Sequence, residues 1–135
     1  MADLFQLGRF RLHSGHESGW KIDCDALSDG DLAALAAIGA AQLGVSFGEV
    51  VGIPRGGLRF AEALRRHADP SSRAVLIVDD VLTTGNSMFA ERDRLVRLGH
   101  VAVYGLVIFA RTNANPCVAR IFQMRRPPDA GRMCG

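Results

Sequence analysis

Five consecutive apolar residues, Ala74-Val75-Leu76-Ile77-Val78, run directly into two adjacent acids, Asp79-Asp80. No other feature of the sequence restricts the fold so tightly. A strand that is apolar at every position is covered on both faces, as parallel strands between helices are. The neighbouring segments agree. Glu49-Val50-Val51-Gly52-Ile53 and Val101 to Phe109 read as further short apolar strands, and Val118 to Met124 as a weaker one. Helical spacing predicts a helix from Leu58 to about His67, with Phe60, Ala61 and Leu64 on one face and Asp69-Pro70 as its stop. A second runs from about Asn86 to Leu98 and is closed by Gly99. An earlier helix begins at Ser28, spaced from Asp31 as in a capping box, and ends at Gly44. The first residues form two short extended pieces around a Gly/Ser turn. This alternation predicts an α/β fold: an open parallel sheet with helices on both faces and right-handed crossovers.

The acids then locate a site. Two neighbouring carboxylates inside a sheet each lose solvation and repel one another. The expectation is that Asp79 and Asp80 sit just past the carboxyl end of their strand, in the crevice where open α/β sheets bind ligands. There they can accept hydrogen bonds from a polyhydroxyl such as a ribose. Thr83-Thr84-Gly85-Asn86-Ser87 follow at once and open a helix. Backbone N–H groups, hydroxyls and the positive helix end together make an anion cradle. A diol reader followed by a phosphate cradle describes a sugar phosphate. An ordinary strand-to-helix loop capped by Asp80 or Thr84 would account for one polar residue and not for the run. One βαβ unit earlier, Gly52-Ile53-Pro54-Arg55-Gly56-Gly57 ends a strand and starts a helix. Its glycines allow close backbone approach and Arg55 adds a fixed positive charge, which suits a second anion such as pyrophosphate.

Composition removes other classes. With 135 residues, 48% of them apolar, the chain suffices for one domain spanning 1–135, whose last residues, 125–135, read as a flexible tail. A formal net charge of +2 gives no general grip on nucleic acid or membrane. There is no apolar run of about 18 residues and no signal-like start, so a soluble cytoplasmic protein is expected. Cys24, Cys117 and Cys134 are scattered, which suggests neither a disulfide framework nor a zinc site, and no metal-ligating set of side chains is expected. Gly44-Val45-Ser46-Phe47-Gly48 fits the serine-hydrolase elbow, but it follows a helix and precedes a strand, the reverse of what that motif needs. Dinucleotide and ATPase glycine loops are absent. Of the 16 basic residues only Lys21 is a lysine, which excludes a receiver-type phosphorylation site needing a later lysine.

The thirteen residues from Val75 to Ser87 closely resemble the phosphoribosyl-pyrophosphate motif of type I phosphoribosyltransferases. Ile53-Pro54-Arg55-Gly56-Gly57 looks like the pyrophosphate loop of that family. Phe10-Arg11-Leu12-His13-Ser14-Gly15-His16-Glu17-Ser18 is similar to the N-terminal hood of the orotate branch, here about residues 1–27. The resemblance implies that Asp79 and Asp80 are the catalytic acids and hold the ribose hydroxyls. It places Thr83, Thr84, Gly85, Asn86 and Ser87 on the 5-phosphate, and Arg55, Gly56 and Gly57 on the pyrophosphate, with a cis peptide before Arg55. Arg111 would hold the carboxylate of an orotate-like base, with His13 and Lys21 also on the base side. The implied reaction moves a phosphoribosyl group from phosphoribosyl pyrophosphate to a nitrogenous base and releases pyrophosphate, with Mg2+ on the diphosphate, in pyrimidine biosynthesis. A homodimer is implied as well, because family members often complete the site from a neighbouring subunit.

Two departures stand out. Orotate enzymes have a mobile basic loop, with a lysine, between the pyrophosphate-loop helix and the diacid strand. Only Ala68 to Arg73 separates those elements here, with no lysine among them. The aromatic pair expected near the base is replaced by Lys21-Ile22. These departures keep a second reading alive, a non-catalytic regulatory module that binds phosphoribosyl pyrophosphate or a nucleotide.

Overall fold

The computed structural model describes residues 3–12, 15, 17–112 and 115–124. His13 and the tail at 125–135 therefore lie outside the described residues. The N-terminal pieces form an antiparallel hairpin, β1 (Phe5–Arg11) and β2 (Glu17–Ile22), paired from Phe5 opposite Ile22 to Arg11 opposite Glu17, with an irregularity between Leu7 and Phe10. Helix α1 (Asp29–Leu43) starts at the capping box expected from the sequence: the Asp31 N–H donates to Ser28 Oγ at 3.0 Å and the Ser28 N–H donates to the Asp31 carboxylate at 2.9 Å. Then come β3 (Glu49–Gly52), α2 (Gly57–Leu64), β4 (Val75–Leu82), α3 (Asn86–Arg97), β5 (Val103–Ala110) and β6 (Ala119–Gln123). The segment with serine-hydrolase spacing lies between α1 and β3, in the order that excludes a nucleophile elbow.

The four later strands form a parallel sheet in the order β3-β4-β5-β6. Its apolar side chains divide between two cores. Leu76, Val78, Leu106 and Ile108 pack with Leu32 and Ala36 of α1 and Phe60, Ala61 and Leu64 of α2. Val75, Ile77 and Val107 face the other way, onto Met88 and Leu95 of α3. Each of these strand residues is at most 2% exposed, which is why the sequence shows no polar alternation through β4. Cys24 is buried in the first core and Cys117 is exposed. Among the described residues no helix is long and apolar enough to cross a membrane.

One topological expectation is corrected. The chain steps from β3 to β4 to β5 in a single direction, yet α2 and α3 cover opposite faces. Two crossovers that step the same way on opposite faces have opposite hands, so one of them departs from the right-handed rule. The return from α2 is brief: a 3₁₀ turn at Arg65–His67, a turn at Asp69 whose N–H donates to the Phe47 carbonyl at 2.7 Å, and then β4.

Candidate functional site

The acids are not where the sequence reading put them. β4 does not stop at Val78 but runs on through Asp79 and Asp80 to Leu82, because β5 continues beside it as far as the pairing of Leu82 with Ala110. On its other flank the pairing ends where Gly52 of β3 meets Val78. The two acids thus have a strand on one side and the loop that follows β3 on the other, at the carboxyl end of the sheet. Asp79 Oδ1 accepts the Asp80 N–H at 2.8 Å and Asp80 Oδ1 accepts the Val81 N–H at 2.7 Å, so each carboxylate is fixed by the next amide along. Burial raises the pKa of Asp79 to about 8, helped by the side-chain hydrogen bond and negative charge of Asp80 and opposed only by the Asp80 N–H.

The space left by the end of β3 is a cleft of about 600 Å³. Asp79, Asp80, Thr83, Thr84, Gly85, Asn86 and Ser87 line one wall, Arg55 and Gly56 another, and Lys21 and Arg111 the side under the hairpin. Of the described candidates only Gly57 is not in the wall. It is buried at the start of α2, where a Cβ would come within 2.6 Å of the Val78 carbonyl oxygen and 3.1 Å of Asp79 Cα. It therefore serves close packing of the loop on the acid strand.

Local chemistry explains each wall. The Pro54–Arg55 peptide is cis, as the resemblance implied, and the turn closes with the Gly57 N–H donating to the Ile53 carbonyl at 2.9 Å. Gly56 has ordinary helical dihedrals, φ −62° and ψ −27°, so its backbone does not require glycine. Its contacts do: a methyl group there would overlap both carboxylate oxygens of Asp80. On the opposite wall, Gly85 caps α3 with φ 82° and the Asn86 N–H donates to Thr84 Oγ1 at 3.3 Å. The first turn of α3 carries no acid, so its positive end is left for an outside anion.

The base-side residues are less alike than the sequence suggested. Arg111 donates to the Trp20 carbonyl at 3.1 Å and to Ser18 Oγ at 2.8 Å, and its guanidinium stacks 3.7 Å from the centre of the Trp20 ring. Partial burial lowers its pKa, but an arginine remains charged. It thus reaches the cleft while tying the hairpin to the end of β5. Lys21 lies over the Phe10 ring, 5.0 Å from its centre. Arg11, from the hood segment, also lines the cleft and adds a further cation to it. Two further residues carry no local sequence signal of a site: Thr112 and Asn115, between β5 and β6, donate to the carbonyls of Thr83 and Thr84 at 3.2 and 2.6 Å. The Asn115-Pro116 pair was legible as a turn, but nothing local shows what the turn touches.

This sheet, its hairpin and a cleft at the strand ends define the type I phosphoribosyltransferase fold, and the chain resembles the orotate enzymes among its members. It is similar to orotate phosphoribosyltransferase from Aeropyrum pernix, at 25% identity over 89% of this chain and 88% of that one, with a TM-score of 0.68. UMP synthase from Leishmania donovani matches at 20% identity and TM-score 0.71, with 89% of this chain spanning 33% of that one. Xanthine-guanine-hypoxanthine phosphoribosyltransferase from Helicobacter pylori matches at 16% identity, over 76% of this chain and 86% of that one, with a TM-score of 0.56. No family model and no curated protein matches the sequence.

Proposed function

We propose that the chain is a phosphoribosyltransferase that moves the 5-phosphoribosyl group of phosphoribosyl pyrophosphate to the nitrogen of an orotate-like base, releasing pyrophosphate. The observation that carries this reading is the convergence on one cleft of an acid pair, an unneutralised helix N-terminus and a glycine loop bearing Arg55. In this reading Asp79 and Asp80 accept the ribose hydroxyls and Thr83 to Ser87 surround the 5-phosphate. Arg55 and Gly56 meet the leaving pyrophosphate. Arg111 and Lys21 face the base, with His13, outside the described residues, assigned to the same side. Displacement at the ribose C1 passes through an oxocarbenium-like state, so the protein's work is to position reactants and neutralise the leaving group.

Mg2+ is the proposed cofactor. The donors suit it: Asp79 and Asp80 stand side by side in the cleft, and Mg2+ is commonly held by one or two carboxylates plus substrate phosphates and water. Bound that way it would neutralise the diphosphate. A cytoplasmic homodimer is proposed with it.

The short return from α2 to β4 favours a second reading, a sensor that binds the same sugar diphosphate without turnover. Titration with phosphoribosyl pyrophosphate and Mg2+, followed by pyrophosphate release across a panel of bases, separates the two. Binding with release for at least one base supports the enzyme, binding without release for any base selects the sensor, and no binding removes both. Asp80→Ala is expected to weaken sugar binding by roughly 1–3 kcal/mol, the loss of charge-assisted hydrogen bonds. Arg111→Ala is expected to abolish use of orotate and lower the melting temperature through its lost ties to β2; undiminished turnover of orotate would remove Arg111 from the base site.

A further inference from the structure

The phosphate wall of the cleft is held from behind. The Thr84 carbonyl accepts Asn115 Nδ2 at 2.6 Å and the Thr83 carbonyl accepts Thr112 Oγ1 at 3.2 Å. Both donors belong to the connection between β5 and β6, about thirty residues further along the chain, and that connection is itself secured. Arg120 donates to the Asn115 carbonyl at 2.7 Å and to the Thr112 carbonyl at 3.1 Å, and its guanidinium also reaches Gln123 Oε1 at 2.6 Å. Gln123 in turn donates to the Thr112 carbonyl at 3.0 Å. Asn115 adopts φ 54°, the left-handed region that asparagine tolerates better than most residues, and its amide lies so close to Gly85 that a Cβ there would come within 2.7 Å of Nδ2.

We infer that Asn115, assisted by Thr112 and anchored through Arg120, is the positioning residue that shapes the anion cradle. The inference rests on the reading of Thr83 to Ser87 as the 5-phosphate site. In a planar trans peptide the carbonyl and the following N–H point in opposite directions. Drawing the carbonyls of Thr83 and Thr84 outwards onto Thr112 and Asn115 therefore turns the N–H groups of Thr84 and Gly85 inwards. The αL cap at Gly85 then delivers the chain to α3 with its first amides facing the same way. The cradle is thus set before a phosphate arrives, which spares the ligand the ordering of a loop.

The test uses two ligands that the two walls of the cleft should divide. Binding of ribose 5-phosphate, and separately of pyrophosphate with Mg2+, is measured for the parent protein and for Asn115→Gly, Asn115→Asp and Thr112→Val. Asn115→Gly is the clean variant, because glycine keeps the positive φ and removes only the side chain. It is expected to weaken ribose 5-phosphate about tenfold, as loss of a hydrogen bond to a half-buried carbonyl would, and to leave pyrophosphate as in the parent. Asn115→Asp is expected to weaken it further, since a carboxylate would face the Thr84 carbonyl and the bound phosphate. Thr112→Val is expected to act in the same direction but less. Equal ribose 5-phosphate affinity in the parent and Asn115→Gly would overturn the positioning role alone, as would an equal loss for both ligands, which marks general loosening. Failure of the parent to bind either ligand would overturn the proposed function and this role with it.

Discussion

Asp79→Asn is expected to make the protein more stable at pH 8 and to deprive it of sugar binding. The sign follows from where the proton sits. Burial and the neighbouring Asp80 lift Asp79 to about 8 in the folded chain, whereas an unfolded aspartate titrates near about 4. Between those values the folded protein holds a proton that the unfolded chain has released. Stability contributed at this position is therefore greatest below about pH 4, falls as the pH climbs towards 8, and changes little beyond. Asparagine has no proton to lose and keeps an oxygen for the Asp80 N–H, so its advantage grows across the same interval. At about 1.4 kcal/mol per unit, shared within the acid pair, the gain at pH 8 is of order 2–5 kcal/mol. For a domain of this size that is roughly 5–15 °C in melting temperature. Melts at pH 5 and pH 8, run beside a ribose 5-phosphate titration, check both halves. A lower melting temperature for the variant at pH 8, or an advantage that does not depend on pH, would show that Asp79 is not a strained acid.

Gly56→Ala is expected to cut affinity for phosphoribosyl pyrophosphate by about ten- to a hundredfold while the chain still folds, since relieving such an overlap costs about 1–3 kcal/mol in all. The backbone at Gly56 is helical and accepts alanine, so no dihedral strain enters. The whole effect lies in the methyl group, which occupies the place of the Asp80 carboxylate oxygens. Either Asp80 swings away and gives up the Val81 N–H, or the loop carrying Arg55 moves off the acid strand. Both separate the pyrophosphate wall from the ribose wall. Leu58→Ala, two residues on and 48% exposed, serves as the control and should bind as the parent does. Calorimetric titration of all three proteins decides the matter, and parent-like affinity for Gly56→Ala would mean that the two walls are not mechanically joined.

What the sequence disclosed and what it withheld divide along one physical line. The strands, helices and cap of α1 were legible because their signals are local: apolar runs, helical spacing and a serine three residues before an acid. The acid pair and both anion loops were legible because several groups of one chemistry stand side by side. The continuation of β4 through Asp79 and Asp80 was not, since charge marks the end of a strand only when both neighbours end with it, and here β5 goes on. The opposite hands of the two crossovers depend on which face each helix covers, a property of the assembled sheet. Arg111 on Ser18 and Trp20, and Asn115 on Thr84, join segments 93, 91 and 31 residues apart, with no periodicity to announce them. Gly57 shows another limit: a glycine that admits a ligand and a glycine that admits a neighbouring strand look the same in a sequence.

The four cations around the cleft, Arg11, Lys21, Arg55 and Arg111, belong to a chain whose formal net charge is only +2. Charge that nearly cancels over the molecule is therefore unevenly distributed, and while Asp79 keeps its proton the local excess is larger still. Such a mouth acts as a funnel for polyanions, drawing them from beyond contact range and quickening capture more than it tightens the final grip. Added salt, which shrinks the reach of that field to about 8 Å at physiological strength, should slow arrival well before it loosens what has already docked.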